Sequence, residues 1–127
     1  QRSEQLPQVR ALMSAEQLLL LRRHAERVAV SPALLRYITD LVGATRSHAE
    51  LQLGASPRAS LALLKAGQAM SLLSGQDTLS PATVQALARP VLQHRLLFRN
   101  RSAGEAEISA FFASLLQSVR LPDHPGA

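Results

Sequence analysis

The chain has no cysteine and no tryptophan in its 127 residues, and its aromatics are one tyrosine and three phenylalanines. Without cysteine there are no disulfides and no thiolate metal sites, which points to a cytoplasmic protein. Scarce aromatic and β-branched residues count against a β-sandwich. No apolar run approaches the roughly 20 residues of a membrane span. The start, Gln1-Arg2-Ser3-Glu4-Gln5, has no Met and no signal-peptide pattern, so a partial or trimmed chain is expected. Catalytic constellations are lacking too. His24, His48, His94 and His124 are scattered and form no i, i+4 metal pair. No Gly-x-x-x-x-Gly-Lys-Ser/Thr run is present to cradle a triphosphate. Glu16, Glu26, Asp40 and Glu50 read as solvated helix residues or caps, and no metal site is expected.

What the chain does hold is leucine and alanine. Hydrophobic residues make up 46% of it, enough for one packed core. Straight-chain apolar residues favour helices. Fourteen Lys and Arg oppose nine Asp and Glu, for a formal charge of +5, and Lys65 is the one lysine. Such a balance suits an anionic partner, although the arginines are dispersed, as on an ordinary solvated surface.

Residues 1–13 read as a linker. Ser14-Ala15-Glu16-Gln17 is a capping box, opening a first helix to about Arg27. Its expected inward face is Leu18, Leu21, Ala25 and Val28, widened by Leu19 and Leu20. A short extended segment is expected near 28–30. Ser31-Pro32 opens a second helix to Arg46, with Leu34, Leu35, Ile38, Leu41 and Val42 inward. Residues 47–55 read as a loop. Ser56-Pro57 opens a third helix that stops at Gly75. A small-residue seam is expected on it, at Ala59, Ala62, Ala66, Ala69 and Leu73. Ser80-Pro81 opens a fourth helix to about His94, interrupted by Pro90. A last helix covers about Glu105 to Arg120. Its Phe111 and Phe112 either complete the core or dock a partner. The fold class is all-α, a small bundle of four to five helices. The divisions are a main domain over 14–101, a C-terminal helix over 102–120 and a disordered tail over 121–127.

The run Gly54-Ala55-Ser56-Pro57-Arg58-Ala59 is the best candidate site. Ser56 is expected to cap the third helix and Pro57 to take its first position. Arg58 opposes the helix dipole there, at a cost of about 0.3–1 kcal/mol. An arginine beside free helix N–H groups is a good phosphate holder. Arg46 closes the second helix as a favourable C-terminal cation, and is a secondary candidate for anion contact. On the residues alone, Arg58 is either a surface ion-pair residue or a phosphate contact.

Residues 28–99 resemble the C-terminal lid of MoxR-type AAA+ ATPases. The resemblance rests on Val30-Ser31, Tyr37-Ile38, Asp40-Leu41-Val42 and Ala44-Thr45-Arg46-Ser47-His48. It continues through Leu53-Gly54-Ala55-Ser56-Pro57-Arg58-Ala59, Pro81 to Val84 and Val91-Leu92-Gln93-His94-Arg95-Leu96. The resemblance implies a helical lid closing over ATP and Mg held by an α/β core that these residues do not include. Arg58 would be the sensor-2 arginine, reaching the γ-phosphate, with Ser56, Pro57 and Arg46 at the nucleotide. Implied partners are the N-terminal AAA+ core of the same protein, neighbouring subunits of a ring, and client proteins with von Willebrand factor A-like domains. The chain alone is expected to hydrolyse nothing. The alternative is a free-standing basic helical domain that binds nucleic acid or protein. Its sparse aromatics and lack of a dense basic helix make nucleic acid the poorer partner.

Overall fold

A computed structural model of the chain describes residues 7–123. Residues 1–6 of the expected linker, and 124–127 of the expected tail with His124, lie outside the described residues. Five helices follow in order: α1 (Ala15–Glu26), α2 (Pro32–Arg46), α3 (Arg58–Leu73), α4 (Pro81–Leu92) and α5 (Glu105–Ser118). A 3-10 turn, Gln93–Arg95, continues α4. Two short strands, β1 (Leu51–Leu53) and β2 (Leu97–Phe98), pair antiparallel. The fold is an all-α bundle with a two-stranded sheet at one side.

Local chemistry sets most helix ends. The Ser14–Gln17 capping box is fully formed, and Gln17 N–H donates to Ser14 Oγ at 3.1 Å. Ser31 Oγ and Ser80 Oγ accept from Leu34 N–H and Thr83 N–H at 3.1 and 3.2 Å. Each is followed by proline at the first helical position, where its missing N–H costs nothing. Gly75, at φ 74°, stops α3 in the left-handed conformation that glycine adopts without strain. Gln76 N–H then returns to Ser71 O at 2.8 Å, and Gly75 N–H to Leu72 O at 3.0 Å. The extended segment near 28–30 forms a parallel bridge. Ala29 N–H donates to Asp77 O and Ala29 O accepts from Leu79 N–H, both at 2.9 Å.

The core runs from α2 across α3 to α4 and α5. Leu34, Ile38, Leu41, Val42, Leu63, Leu79, Val84, Leu92 and Leu115 are essentially sealed from solvent. Phe111 and Phe112 are buried, so both complete the core rather than dock a partner. The Phe111 ring meets His48, Phe98 and Phe112 edge-on at 4.6, 5.1 and 5.1 Å. Arg89 on α4 and Glu105 on α5 form an ion pair across the outer edge, to which Ser109 adds hydrogen bonds.

Four expectations are corrected. α1 buries no residue, and Leu18, Leu19, Leu20 and Leu21 are half exposed. Four consecutive leucines at 100° per residue point to all sides of a helix, and only one side can rest on α3. Leu35 also faces outward, 42% exposed. On α3 the buried row is Ala59, Leu63, Gly67 and Ser71, while Leu73 is 78% exposed. A row of spacing four is inclined to the helix axis, as suits a helix crossed obliquely by its neighbours. Finally, residues 47–55 contain β1. Its partner β2 lies more than forty positions along the chain, so the pairing is set by the fold and not by local propensity.

Candidate functional site

The segment Gly54–Arg58 joins β1 to α3 and is held to the last turn of α2. Ala55 is fully buried. Its N–H donates to Thr45 Oγ1 at 2.9 Å, and its C=O accepts from Arg46 Nη1 at 3.1 Å. Two consecutive side chains of α2 thus take both backbone groups of one residue. Thr45 is itself buried, and its hydroxyl donates to Val42 O at 2.6 Å. With the proton directed there, a lone pair is left for Ala55.

Gly54 explains how the segment comes so close. A Cβ at this position would lie 2.5 Å from Thr45 C and O and 2.6 Å from Arg46 Cα. Gly54 has no positive φ, so glycine is needed for close approach and not for a turn.

The third Ser-Pro pair behaves unlike the other two. Ser56 makes no side-chain cap, and Pro57 at φ −57° takes the cap position, with α3 starting at Arg58. Ala59 N–H and Ser60 N–H bond to the carbonyls of Ser56 and Pro57 at 2.9 and 3.1 Å. The expected cap is therefore corrected: tight backbone turns satisfy these amides, and the Ser56 hydroxyl is left exposed. The reason is tertiary. With Gly54 and Ala55 pinned to α2, the chain enters α3 one residue later than Ser-Pro alone predicts. Two of the N–H groups expected to stand behind Arg58 are thereby engaged, so the guanidinium is the main anion-holding group.

The Arg58 side chain is exposed and makes no hydrogen bond or ion pair among the described residues. The segment that precedes it lines a groove of about 470 Å³, whose walls are Arg46, Gln52, Leu53, Gly54, Ala55, Ser56 and Arg95, without Arg58 itself. No acidic side chain lines it. Arg95 sits in the 3-10 turn, and its Nε donates to Val91 O at 3.3 Å. Neither Arg46 nor Arg95 has a carboxylate partner among the described residues, where the ion pairs are Arg89–Glu105 and Arg120–Asp123. The groove carries two cations and an open hydroxyl beside an apolar wall at Leu53, a surface suited to oxyanions.

His48 does not line the groove. Its Nδ1 accepts from Glu50 N–H at 3.1 Å and its ring packs on Phe111, so it supports the Ser47–Glu50 turn. Among the described residues no group of His, Cys, Asp and Glu could hold a metal ion, and no helix is long and apolar enough to cross a membrane. Sequence reasoning singled out Arg58, Ser56, Pro57 and Arg46 but missed Thr45. Its signal was available, because a hydroxyl in the last turn of an otherwise apolar face is a polar group in need of a partner.

A model of the AAA lid domain family matches residues 43–111, over half of the chain. Chaperone MoxR1 of Mycobacterium tuberculosis is 33% identical over 91% of this chain and 33% of its own length. Protein MoxR of Paracoccus denitrificans is 33% identical over 67% of this chain and 31% of its own length. YeaC of Bacillus subtilis, an uncharacterized protein, is 31% identical over 96% of this chain and 38% of its own length. A crystal structure of a candidate ATPase from Cytophaga hutchinsonii superposes with a TM-score of 0.75 and 27% identity, over 85% of this chain and 36% of that one. The chain thus spans about a third of the length of the curated relatives it matches. Fold, family model and relatives agree: the chain belongs to the AAA lid domain family and is related to the MoxR ATPases.

Proposed function

We propose that this domain is the sensor-2 lid of a MoxR-like AAA+ ATPase, and that Arg58 is the residue through which it reads nucleotide. In this reading the lid spans 14–101, with the helix of 102–120 packed on it. ATP with Mg is held by an α/β core of the same protein and supplies the phosphoryl group that water accepts. Arg58 reaches a γ-phosphate oxygen from the lid, fixes the lid angle and offsets the charge that develops on transfer. Movement of the lid would then drive chaperone-like remodelling of partner proteins, such as those with von Willebrand factor A-like domains.

The observation that carries the reading is Arg58 itself. Its guanidinium has no ion-pair partner among the described residues, and it lies two positions after a segment, 54–56, that lines an acid-free groove and is pinned to α2 at Ala55. That donor set fits a polyphosphate and repels none of it. Arg46 serves the site through Ala55, and Ser56 and Pro57 shape its rim.

The partner side of the reading is supported by α1. Its leucines are half exposed around the helix, and Val9, Leu12 and Met13 before it are exposed as well. So much exposed apolar surface on one segment suits contact with the core or with a neighbouring ring subunit.

The test is steady-state ATP hydrolysis by the complete protein, by its Arg58→Ala variant and by this chain alone. The expected result is turnover in the complete protein, a loss of at least about 100-fold in the variant, in line with removing one charge-stabilising donor, and none in this chain. Turnover in Arg58→Ala equal to the parent rate would overturn the sensor role.

A further inference from the structure

We propose that Thr45 and Arg46 are positioning residues that act through Ala55 to set Arg58, so that the end of α2 and the nucleotide contact work as one mechanical unit. The inference rests on the sensor reading of Arg58.

Three anchors converge on two residues. The Gly54 backbone lies against the Thr45 and Arg46 backbone, leaving no room for a Cβ. Ala55 gives its N–H to Thr45 Oγ1 and its C=O to Arg46 Nη1. Ala55 and Arg58 are separated only by Ser56 and Pro57, and the proline ring fixes one torsion of the link. A force on the Arg58 guanidinium is therefore carried to α2 through a short, stiff path. The start of α3 is also held independently, by the buried Ala59 and Leu63. Removing the clasp leaves α3 from Ala59 onward seated on the core and loosens chiefly residues 54–57 and the Arg58 end of the helix.

Thr45 is the sharper member of the pair. It is buried, it does not line the groove, and it has no charge to offer a phosphate. Any effect it has on turnover must pass through the backbone it holds.

The experiment uses the complete protein and follows kcat and KM for ATP, normalised to folded protein by helical circular dichroism. Thr45→Val keeps the shape and deletes the hydroxyl, leaving the Ala55 N–H without a partner. The expected result is a kcat lowered about tenfold with KM changed less than threefold, and Thr45→Ser restoring kcat to within twofold. In an Arg58→Ala background, Thr45→Val is expected to change nothing further, because the residue it positions is gone. Should Thr45→Val fail to fold, Arg46→Gln decides the matter. It alters an exposed side chain and is expected to lower kcat several-fold, again with no added loss beside Arg58→Ala. Losses that multiply with Arg58→Ala, or Thr45→Val and Arg46→Gln proteins with parent kcat, would overturn the proposal. A parent rate in Arg58→Ala alone would instead overturn the sensor reading.

Discussion

Gly54→Ala is expected to be the costliest single-methyl change at the site. The added Cβ would lie 2.5 Å from Thr45 C and O and 2.6 Å from Arg46 Cα. An ordinary carbon contact is about 3.5–4.0 Å, so the segment must withdraw from α2 by roughly an ångström. The obstacle is backbone of a packed helix, which no rotamer change relieves. Withdrawal breaks the Ala55 bonds to Thr45 and Arg46, now 2.9 and 3.1 Å long. A buried N–H left unpaired costs about 1–3 kcal/mol, and a bond from a charged donor contributes about 1.5–3 kcal/mol, at the low end here because Arg46 is exposed. Stiffening the unfolded chain returns about 0.4–1 kcal/mol. The net loss is about 2–4 kcal/mol, which at roughly 4 °C per kcal/mol lowers Tm by about 8–16 °C. Thermal melting followed by helical circular dichroism reads this directly. Gly67→Ala is the matched comparison. Its Cβ would meet Leu79 Cδ1 and Cδ2 at 2.8 and 3.0 Å, a buried side-chain tip that yields by a small shift where backbone would not. In mid-helix the change also gains about 1 kcal/mol of helix propensity, so its net loss is expected to stay below about 1 kcal/mol. Gly54→Ala melting within 2 °C of the parent chain, or no lower than Gly67→Ala, would refute the close-approach argument.

Two further outcomes are expected. The hydrogen bond from Arg89, and then its charge, hold the Glu105 carboxyl below its ordinary pKa of 4.5. A lowered folded pKa means that the pair stabilises the fold above the ordinary carboxylate range and loses that contribution as pH falls through the folded value. The Tm difference between the parent chain and Glu105→Gln should therefore be present near neutral pH, shrink with added salt and vanish in acid below the ordinary range; a pH-independent difference would exclude the ion pair as its cause. In the complete protein, Leu19→Gln with Leu20→Gln should weaken subunit assembly measured by light scattering, while Tm of the isolated chain falls by only about 5 °C, since both leucines are already half exposed; unchanged assembly would remove α1 from the interface.

The order and extent of the helices were legible because their signals are local. Ser14 and Gln17, Ser31-Pro32, Ser80-Pro81 and Gly75 act within one turn of chain, and each does in the fold what its residue type requires. Arg58 was legible as a candidate for the same reason, a cation set where a helix dipole disfavours it. The failures share the opposite cause. Which of four consecutive leucines in α1 faces α3 is undetermined when the four cover every side of one helical turn. β1 has no strand signal of its own and exists because the end of α4 brings Leu97 and Phe98 beside it. Ser56 carries the same cap signal as Ser31 and Ser80 but does not cap, since Thr45 and Arg46 hold the preceding residues. The helices, their turns and the unusual arginine can thus be read from neighbouring residues, because hydrogen bonds within a turn and the period of apolar positions are local. What Arg58 stands on depends on packing, because the anchors among Gly54, Ala55, Thr45 and Arg46 join residues eight to ten positions apart, and their energy appears when α2 and the loop come together.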